Sequence, residues 1–279
     1  RSTHDLIITP VAPYFHIFST RLSTAIRQTP LVVTWHEVWD DYWYRHMGST
    51  GWMGKIIERL AGHLPQHAVA PSRTTARKLQ SLASASPVEV IPNGIDFDYI
   101  SSKPPINGGC DVLYAGRLIE DKNIDLLIDS FDQCDTDARL TIVGDGPAAD
   151  QLHNHAAQST VTDQIEFVGF LEEYDDVIAY MRAADIFVSP SIREGFGLTL
   201  LEAMAAGCTV ITVDHKYSAG NEIVGDAGFV VEPTVNELSE ILSQALDGAR
   251  PNVSPTDRAA NYDWKSITNQ AESFYESLI

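Results

Sequence analysis

The sequence predicts an α/β protein made of two domains with parallel sheets. Short runs rich in β-branched residues alternate with helical stretches along the whole chain, which is the pattern of parallel α/β layers. Polar pairs and Gly-rich turns follow the carboxyl ends of several runs, where open parallel sheets bind ligands. The chain has 279 residues, enough for two separate cores.

Composition narrows the function. Hydrophobic residues make up 44% and charged residues 20%, as in ordinary globular proteins, but the net charge is -19. Lysine is scarce and Asp outnumbers Glu, which reads as an adaptation to high salt, where such charges are screened. So acidic a chain is a poor binder of nucleic acid. Cys110, Cys134 and Cys208 lie far apart, without metal spacing or an even disulfide set, so the cytoplasm is the simplest compartment. No run reaches membrane-spanning length, and no signal peptide is present. The chain opens on Arg1 without a methionine, which suggests a fragment.

In the first domain, 6–9 reads as a strand, 15–27 as a helix and 31–35 as a strand ending in Trp35-His36-Glu37. His36 is either a site residue or a loop histidine with a local partner. The stretch 39–63 is rich in Trp and Tyr, with Arg45, Lys55 and Arg59 interleaved and helical apolar spacing over 53–60. It can rest on a membrane interface or serve as packing. A strand at 67–71 leads to Ser72, which caps a helix over 73–81. The strand 88–91 runs into Pro92-Asn93-Gly94-Ile95-Asp96, a turn. Asp96-Phe97-Asp98 has the look of a metal pair but follows that turn, so it reads as turn chemistry. The Pro- and Gly-rich segment 101–109 is the expected linker. Domain limits are set at 1–100 and 101–261, with a final helical segment over 262–279.

In the second domain, a strand over 111–115 gives way to Gly116-Arg117, with Lys122 in the loop that follows. These two cations can hold phosphates, or pair with Glu120 and Asp121. The strand 139–143 closes on Gly144-Asp145-Gly146-Pro147, a G-x-G without the third glycine of the dinucleotide fingerprint. Pro147 suits the first turn of a helix. Strands at 165–168, 186–189, 209–213 and 228–231 complete the sheet; helices are expected between them, over 235–246 and from Trp264.

The segment from Arg193 to Gly207, R-E-G-F-G-L-T-L-L-E-A-M-A-A-G, organises the rest. Glu194, Gly195, Phe196 and Gly197 form a tight loop, 198–206 is a strong helix former, and Gly207 caps it. A helix opening behind such a loop presents N–H groups and its positive dipole end to an anion. Glu202 stands among Leu, Ala and Met, so it is buried in part and needs donors. Sugar hydroxyls would supply them, as would a neighbouring Arg or the backbone. Phosphate amides between Glu194 and Glu202 suit a nucleotide-sugar.

Taken in order, Trp35-His36-Glu37, Asn93-Gly94-Ile95-Asp96, Gly116-Arg117 with Lys122, Gly144-Asp145-Gly146-Pro147 and Glu194-x7-Glu202 resemble the retaining glycosyltransferases of family 4. The resemblance covers nearly the whole chain. It implies a GT-B fold, two Rossmann-like domains facing a cleft, with the first domain incomplete at its start. It implies transfer of a sugar from a UDP- or GDP-sugar to an acceptor hydroxyl, glycan, lipid-linked or small-molecule, with no cofactor required; Arg117, Lys122 and the amides of 195–198 are expected to replace a metal. Arg117 and Lys122 would grip the diphosphate beside Gly116, Glu202 the ribose and Glu194 the donor sugar. Gly195, Phe196, Gly197 and Leu198 would line the donor, and His36 would face it from the first domain. The final helix would cross back to the first domain. An epimerase on the same fold and a non-catalytic nucleotide-sugar-binding module are the alternatives. Peripheral contact with the cytoplasmic membrane face through 39–63 would suit a lipid-linked acceptor.

Overall fold

The computed structural model describes residues 4–83 and 87–279. Its contacts divide the chain into two units, Arg1–Asn93 with Lys265–Ile279, and Gly94–Trp264. Residues 1–3 and 84–86, within the expected first domain, lie outside the described residues.

The first unit contains β1 (Ile7–Pro10), α1 (Phe15–Arg27), β2 (Leu31–Thr34), α2 (Tyr42–Met47), α3 (Gly51–Gly62), β3 (His67–Ala70), α4 (Arg73–Ala83) and β4 (Val88–Val90). Its four described strands lie in the order β1-β2-β3-β4, and every pair is parallel. The apolar run in β2 has a physical cause: both faces of a parallel sheet are covered. Val33 packs with Ile17, Trp35 and Leu79 on one face, while Val32 and Val69 pack on the other. Ser72 caps α4 as the sequence predicts, accepting from the Thr75 amide at 3.0 Å.

The aromatic stretch 39–63 folds as α2 and α3, wrapped around one carboxylate. Glu58 is fully buried. It accepts from the main-chain amides of Trp39 (2.8 Å) and Asp40 (2.7 Å), from the Tyr14 hydroxyl (2.8 Å) and from Trp43 Nε1 (3.3 Å). Packing therefore accounts for Trp39 and Trp43. It does not account for Trp52, Met53, Ile56 and Leu60, which are exposed on α3.

The second unit contains α5 (Phe97–Ser102), β5 (Cys110–Ala115), α6 (Ile124–Asp132), β6 (Leu140–Val143), α7 (Ala149–Ala156), β7 (Ile165–Gly169), α8 (Tyr174–Ala183), β8 (Ala184–Ser189), α9 (Leu198–Ala206), β9 (Thr209–Val213), α10 (Gly220–Val224), β10 (Phe229–Val231), α11 (Val235–Leu246) and α12 (Pro255–Ala260). The strand order is β10-β9-β8-β5-β6-β7, all parallel. The chain winds outward in one direction from β5 and then returns to β8 on its other side. The boundary between β5 and β8 is thus a topological switch point, where a crevice opens at the carboxyl ends. The last helix, α13 (Trp264–Glu276), belongs to the first unit from Lys265 onward. There Ile267 packs with Val32 and Val69, and Gln270 Nε2 donates to the Val90 carbonyl at 3.0 Å.

The contacts divide the chain at Asn93 and Gly94, a few residues ahead of the expected limit at 100 and the linker 101–109. Two sequence expectations are corrected. Residues 97–102 are helix α5, capped by Asp96, whose side chain accepts from the Tyr99 amide at 3.0 Å. Asp96 is therefore a helix cap rather than a simple turn residue. Pro147 stands two residues before α7, because the Ala148 amide bonds to the Leu118 carbonyl at 2.9 Å and holds this segment against another loop.

Replacing Glu58 leaves buried amides without an acceptor. Glu58→Ala should cost on the order of 3 kcal/mol or more, and Glu58→Gln clearly less. Urea unfolding checks both; equal small losses would show that the carboxylate does not organise 39–63.

Candidate functional site

The site is built where β5 and β8 end. After Ala115 the chain turns at Gly116 and passes through exposed Arg117. The buried Tyr114 hydroxyl donates to the Arg117 carbonyl at 3.0 Å and fixes this turn. Burial, and next the negative charge of Glu194, hold the Tyr114 phenol protonated, while Arg117 works against them.

The glycines of Gly144-Asp145-Gly146 serve this turn. A Cβ on Gly144 would lie 1.9 Å from the Gly116 carbonyl oxygen, and one on Gly146 would lie 2.4 Å from that of Leu118. Only glycine lets the two loops close so tightly. Leu118 N then donates to the Asp145 carbonyl at 2.9 Å. The incomplete fingerprint is thus a brace for the loop carrying Arg117.

A second tie joins the loops after β5 and β8. The Asp121 carbonyl accepts from the Ile192 amide at 3.1 Å and from Ser191 Oγ at 3.4 Å. This brings Lys122 to Glu194, with Nζ 2.5 Å from Oε2 and both side chains about four-fifths buried. The Glu194 backbone is fixed by its amide donating to Tyr217 (3.2 Å) and its carbonyl accepting from Ala219 (2.8 Å). Lys122 therefore pairs with the loop across the switch point.

Beyond Glu194 the loop enters α9. Phe196 is buried and meets Tyr262 edge-on at 6.1 Å, which anchors the loop. Gly197 has φ 95°, a left-handed conformation that turns Leu198 into the helix. The first N–H groups of α9 point back toward the loop, with the positive end of the helix dipole behind them. Glu202 lies one turn in, only 6% exposed, and accepts from the Tyr174 hydroxyl at 2.8 Å. Burial raises its carboxyl to about 7, and the Tyr174 bond partly offsets that. Its partner is neither an Arg nor the backbone. Sequence reading did not single out Tyr174; nothing in a run of Glu and Asp marks a tyrosine as the partner of a residue 28 positions away.

The second unit thus carries Gly116, Arg117 and Lys122 on the loop after β5, and Glu194, Gly195, Phe196, Gly197, Leu198 and Glu202 on the loop and helix after the adjacent strand β8. Two cations and a helix start can receive phosphates, and two carboxylates can receive hydroxyls. His36 lies in the first unit, exposed just after β2, on the wall of a cavity of about 650 Å³ with Glu37, Tyr14, Trp39 and Trp43.

Glu202 makes stability depend on pH. A carboxyl raised from 4.5 to about 7 contributes stability below pH 4.5 that is lost as pH rises through 7. The expected cost at pH 8 is about 3 kcal/mol. Glu202→Gln should therefore gain stability relative to wild type between pH 5 and pH 8. Parallel melting-temperature profiles for the two proteins would contradict the raised carboxyl.

Comparison with known proteins gives this geometry a family. Residues 97–261 match the Glycosyl transferases group 1 family, and residues 4–99 match Glycosyltransferase Family 4. The phosphatidyl-myo-inositol mannosyltransferase of Mycobacterium leprae is 29% identical over 285 residues, covering 96% of this chain and 67% of that protein. That of Mycobacterium tuberculosis is 32% identical over 221 residues, covering 73% of this chain. The chain spans 57% of the latter's length. HepE of Anabaena, solved with UDP and glucose, superposes with a TM-score of 0.80 at 21% identity, covering 98% of this chain and 78% of HepE. Sucrose-phosphate synthase of Thermosynechococcus elongatus gives a TM-score of 0.76 at 20% identity, covering 99% and 74%. At those identities the likeness establishes the fold, two Rossmann-like parallel-sheet domains of the GT-B type. The match over 97–261 spans more than half of the 279 residues, and the chain belongs to the Glycosyl transferases group 1 family of transferases.

Proposed function

We propose that this protein transfers a sugar from a UDP- or GDP-sugar to an acceptor hydroxyl on a glycan or lipid-linked compound, with retention of configuration. One observation carries the reading: the loops after the adjacent strands β5 and β8 are joined by the Lys122–Glu194 pair beside the start of α9; Arg117 on the first loop and Glu202 on α9 are assigned to the same site. Solved neighbours support a nucleotide-sugar donor, since HepE was crystallised with UDP and with UDP-glucose. Relatives support a lipid-linked acceptor; one is a phosphatidyl-myo-inositol mannosyltransferase and another acts on a diphospho-undecaprenol compound.

The leaving diphosphate gains negative charge in the transition state, and Arg117, Lys122 and the α9 dipole would neutralise it. Before that, Lys122 must exchange the Glu194 carboxylate for a phosphate oxygen. The exchange frees Glu194 to accept from hydroxyls of the donor sugar. Glu202 would hold the ribose. The acceptor hydroxyl would attack on the face the diphosphate leaves, where an oxocarbenium-like sugar forms. His36 receives a catalytic role from the family resemblance alone. Asp96, which caps α5, has work other than binding a metal. The reaction proposed is metal-independent.

Transfer of radiolabelled sugar from UDP- and GDP-sugars to extracted lipids and oligosaccharides, with excess chelator and at high salt, tests the reading. Product should form with chelator present. Arg117→Ala and Lys122→Ala should each weaken donor binding by about 1.5–3 kcal/mol, the worth of a charged hydrogen bond. A surface ion pair would cost only about 0–1 kcal/mol. Activity lost on chelation and restored by magnesium or manganese would overturn metal independence. An epimerised sugar formed without acceptor would overturn transfer, and donor binding without turnover would point to a binding module.

A peripheral membrane contact belongs to the same reading. The exposed Trp52, Met53, Ile56 and Leu60 on α3 support it, with Lys55 and Arg59 on the same helix. No helix among the described residues is long and apolar enough to cross a membrane. Anionic vesicles should retain the protein in sedimentation, and Trp52→Ser with Ile56→Ser should reduce retention severalfold. Unchanged retention would show that the exposed face of α3 plays no part.

A further inference from the structure

We propose that Tyr174 is a positioning residue of the donor site, holding the Glu202 carboxylate ionised and correctly oriented for ribose. The inference rests on the proposed ribose role of Glu202.

The geometry points to one partner. Glu202 is buried in a helix otherwise made of apolar residues and one threonine, and Tyr174 Oη donates to its Oε1 at 2.8 Å. Tyr174 opens α8 and is half exposed, so its hydroxyl reaches the buried carboxylate from the surface. A carboxylate oxygen can accept more than one hydrogen bond, so Oε2 and the second lone pair of Oε1 remain for ribose hydroxyls. One bond already fixes the orientation of the carboxylate, which lowers the entropy lost on binding.

Three other charged groups near α9 are engaged elsewhere. On α8, Asp175 accepts from Tyr99 and Lys103, and Arg182 donates to the Lys103 and Ala206 carbonyls. On α12, Arg258 donates to the Glu222 and Ile223 carbonyls. Asp98 on α5, Asp176 on α8, Asp185 on β8, Glu222 on α10 and Asp257 on α12 are the remaining acids on elements packed against α9. Burial and the Tyr174 hydrogen bond are the influences that set the Glu202 carboxyl. Burial favours its neutral form, and the donated hydrogen bond favours the anion. The neutral form would lose the charge-assisted bonds to ribose.

Loss of the Tyr174 hydroxyl should therefore act through the ionisation of Glu202. The test is calorimetric affinity from pH 6.5 to 9 for UDP-glucose or GDP-mannose, whichever binds wild type more tightly. Their diphosphate diesters do not titrate in this range. Wild-type affinity should fall about fourfold from pH 8.5 to 6.5, as expected of a group near 7. In Tyr174→Phe the fall should move to higher pH, with affinity about fivefold below wild type at pH 7 and within about twofold at pH 9. Glu202→Gln should flatten the profile with or without Tyr174. A pH-independent loss in Tyr174→Phe, or none at all, with a Glu202→Gln defect intact, would overturn the positioning role alone. Unchanged binding in Glu202→Gln would instead overturn the ribose reading on which it rests. Melting curves for Tyr174→Phe confirm that the compared protein is folded.

Discussion

The candidate site depends on one constraint: the loops leaving β5 and β8 must be tied together at the switch point of the second sheet. Strand order sets the two carboxyl ends side by side, and the Asp121 carbonyl then joins the loops by accepting from Ile192 and Ser191. Without that tie, Lys122 would have no fixed route to Glu194. The brace from behind is equally backbone-driven. Gly144 and Gly146 allow a carbonyl-to-carbon approach that any side chain would block, and Tyr114 pins the Arg117 carbonyl from beneath. The loops that carry Arg117 and Lys122 are thus placed by main-chain contacts, and Lys122 turns its side chain to Glu194.

Electrostatically, the unliganded site is poised rather than neutral. Lys122 rests on a carboxylate it must leave, and Glu202 keeps a proton more readily than an exposed glutamate because it is buried. The buried Glu202 carboxylate costs stability in the empty protein, and the proposed ligand would bring hydroxyls to that acid and a phosphate to the lysine. A diphosphate flanked by ribose and hexose has those groups in that order.

Much of this was legible in the sequence because local signals and global fold agree. Helix α9 begins and ends where Gly197 and Gly207 predict, and α1 and α11 occupy their expected spans. Of the residues read as donor-binding in the second domain, Lys122 and Glu194 are in direct contact. What escaped reading had physical reasons. Proline and glycine in 101–109 mark a loop, but composition does not say whether a loop separates domains. The division at Gly94 instead follows from α5 packing on α9. The Asp96 cap needed attention to the amide of Tyr99 rather than to the spacing of two aspartates. Helix α12 carried a readable start signal in Ser254-Pro255, with Ser254 accepting from the Asp257 amide, yet it is too short to show apolar periodicity. Tyr174 could be found only from three-dimensional proximity.

The most direct measurement is a crystal structure of the protein with UDP or GDP bound, whichever stabilises it more in a thermal scan. The account predicts a diphosphate at the start of α9, with Lys122 Nζ moved from Glu194 to a phosphate oxygen, Arg117 on the same group and ribose hydroxyls on Glu202. A nucleotide seated elsewhere, with the Lys122–Glu194 pair intact, would contradict it.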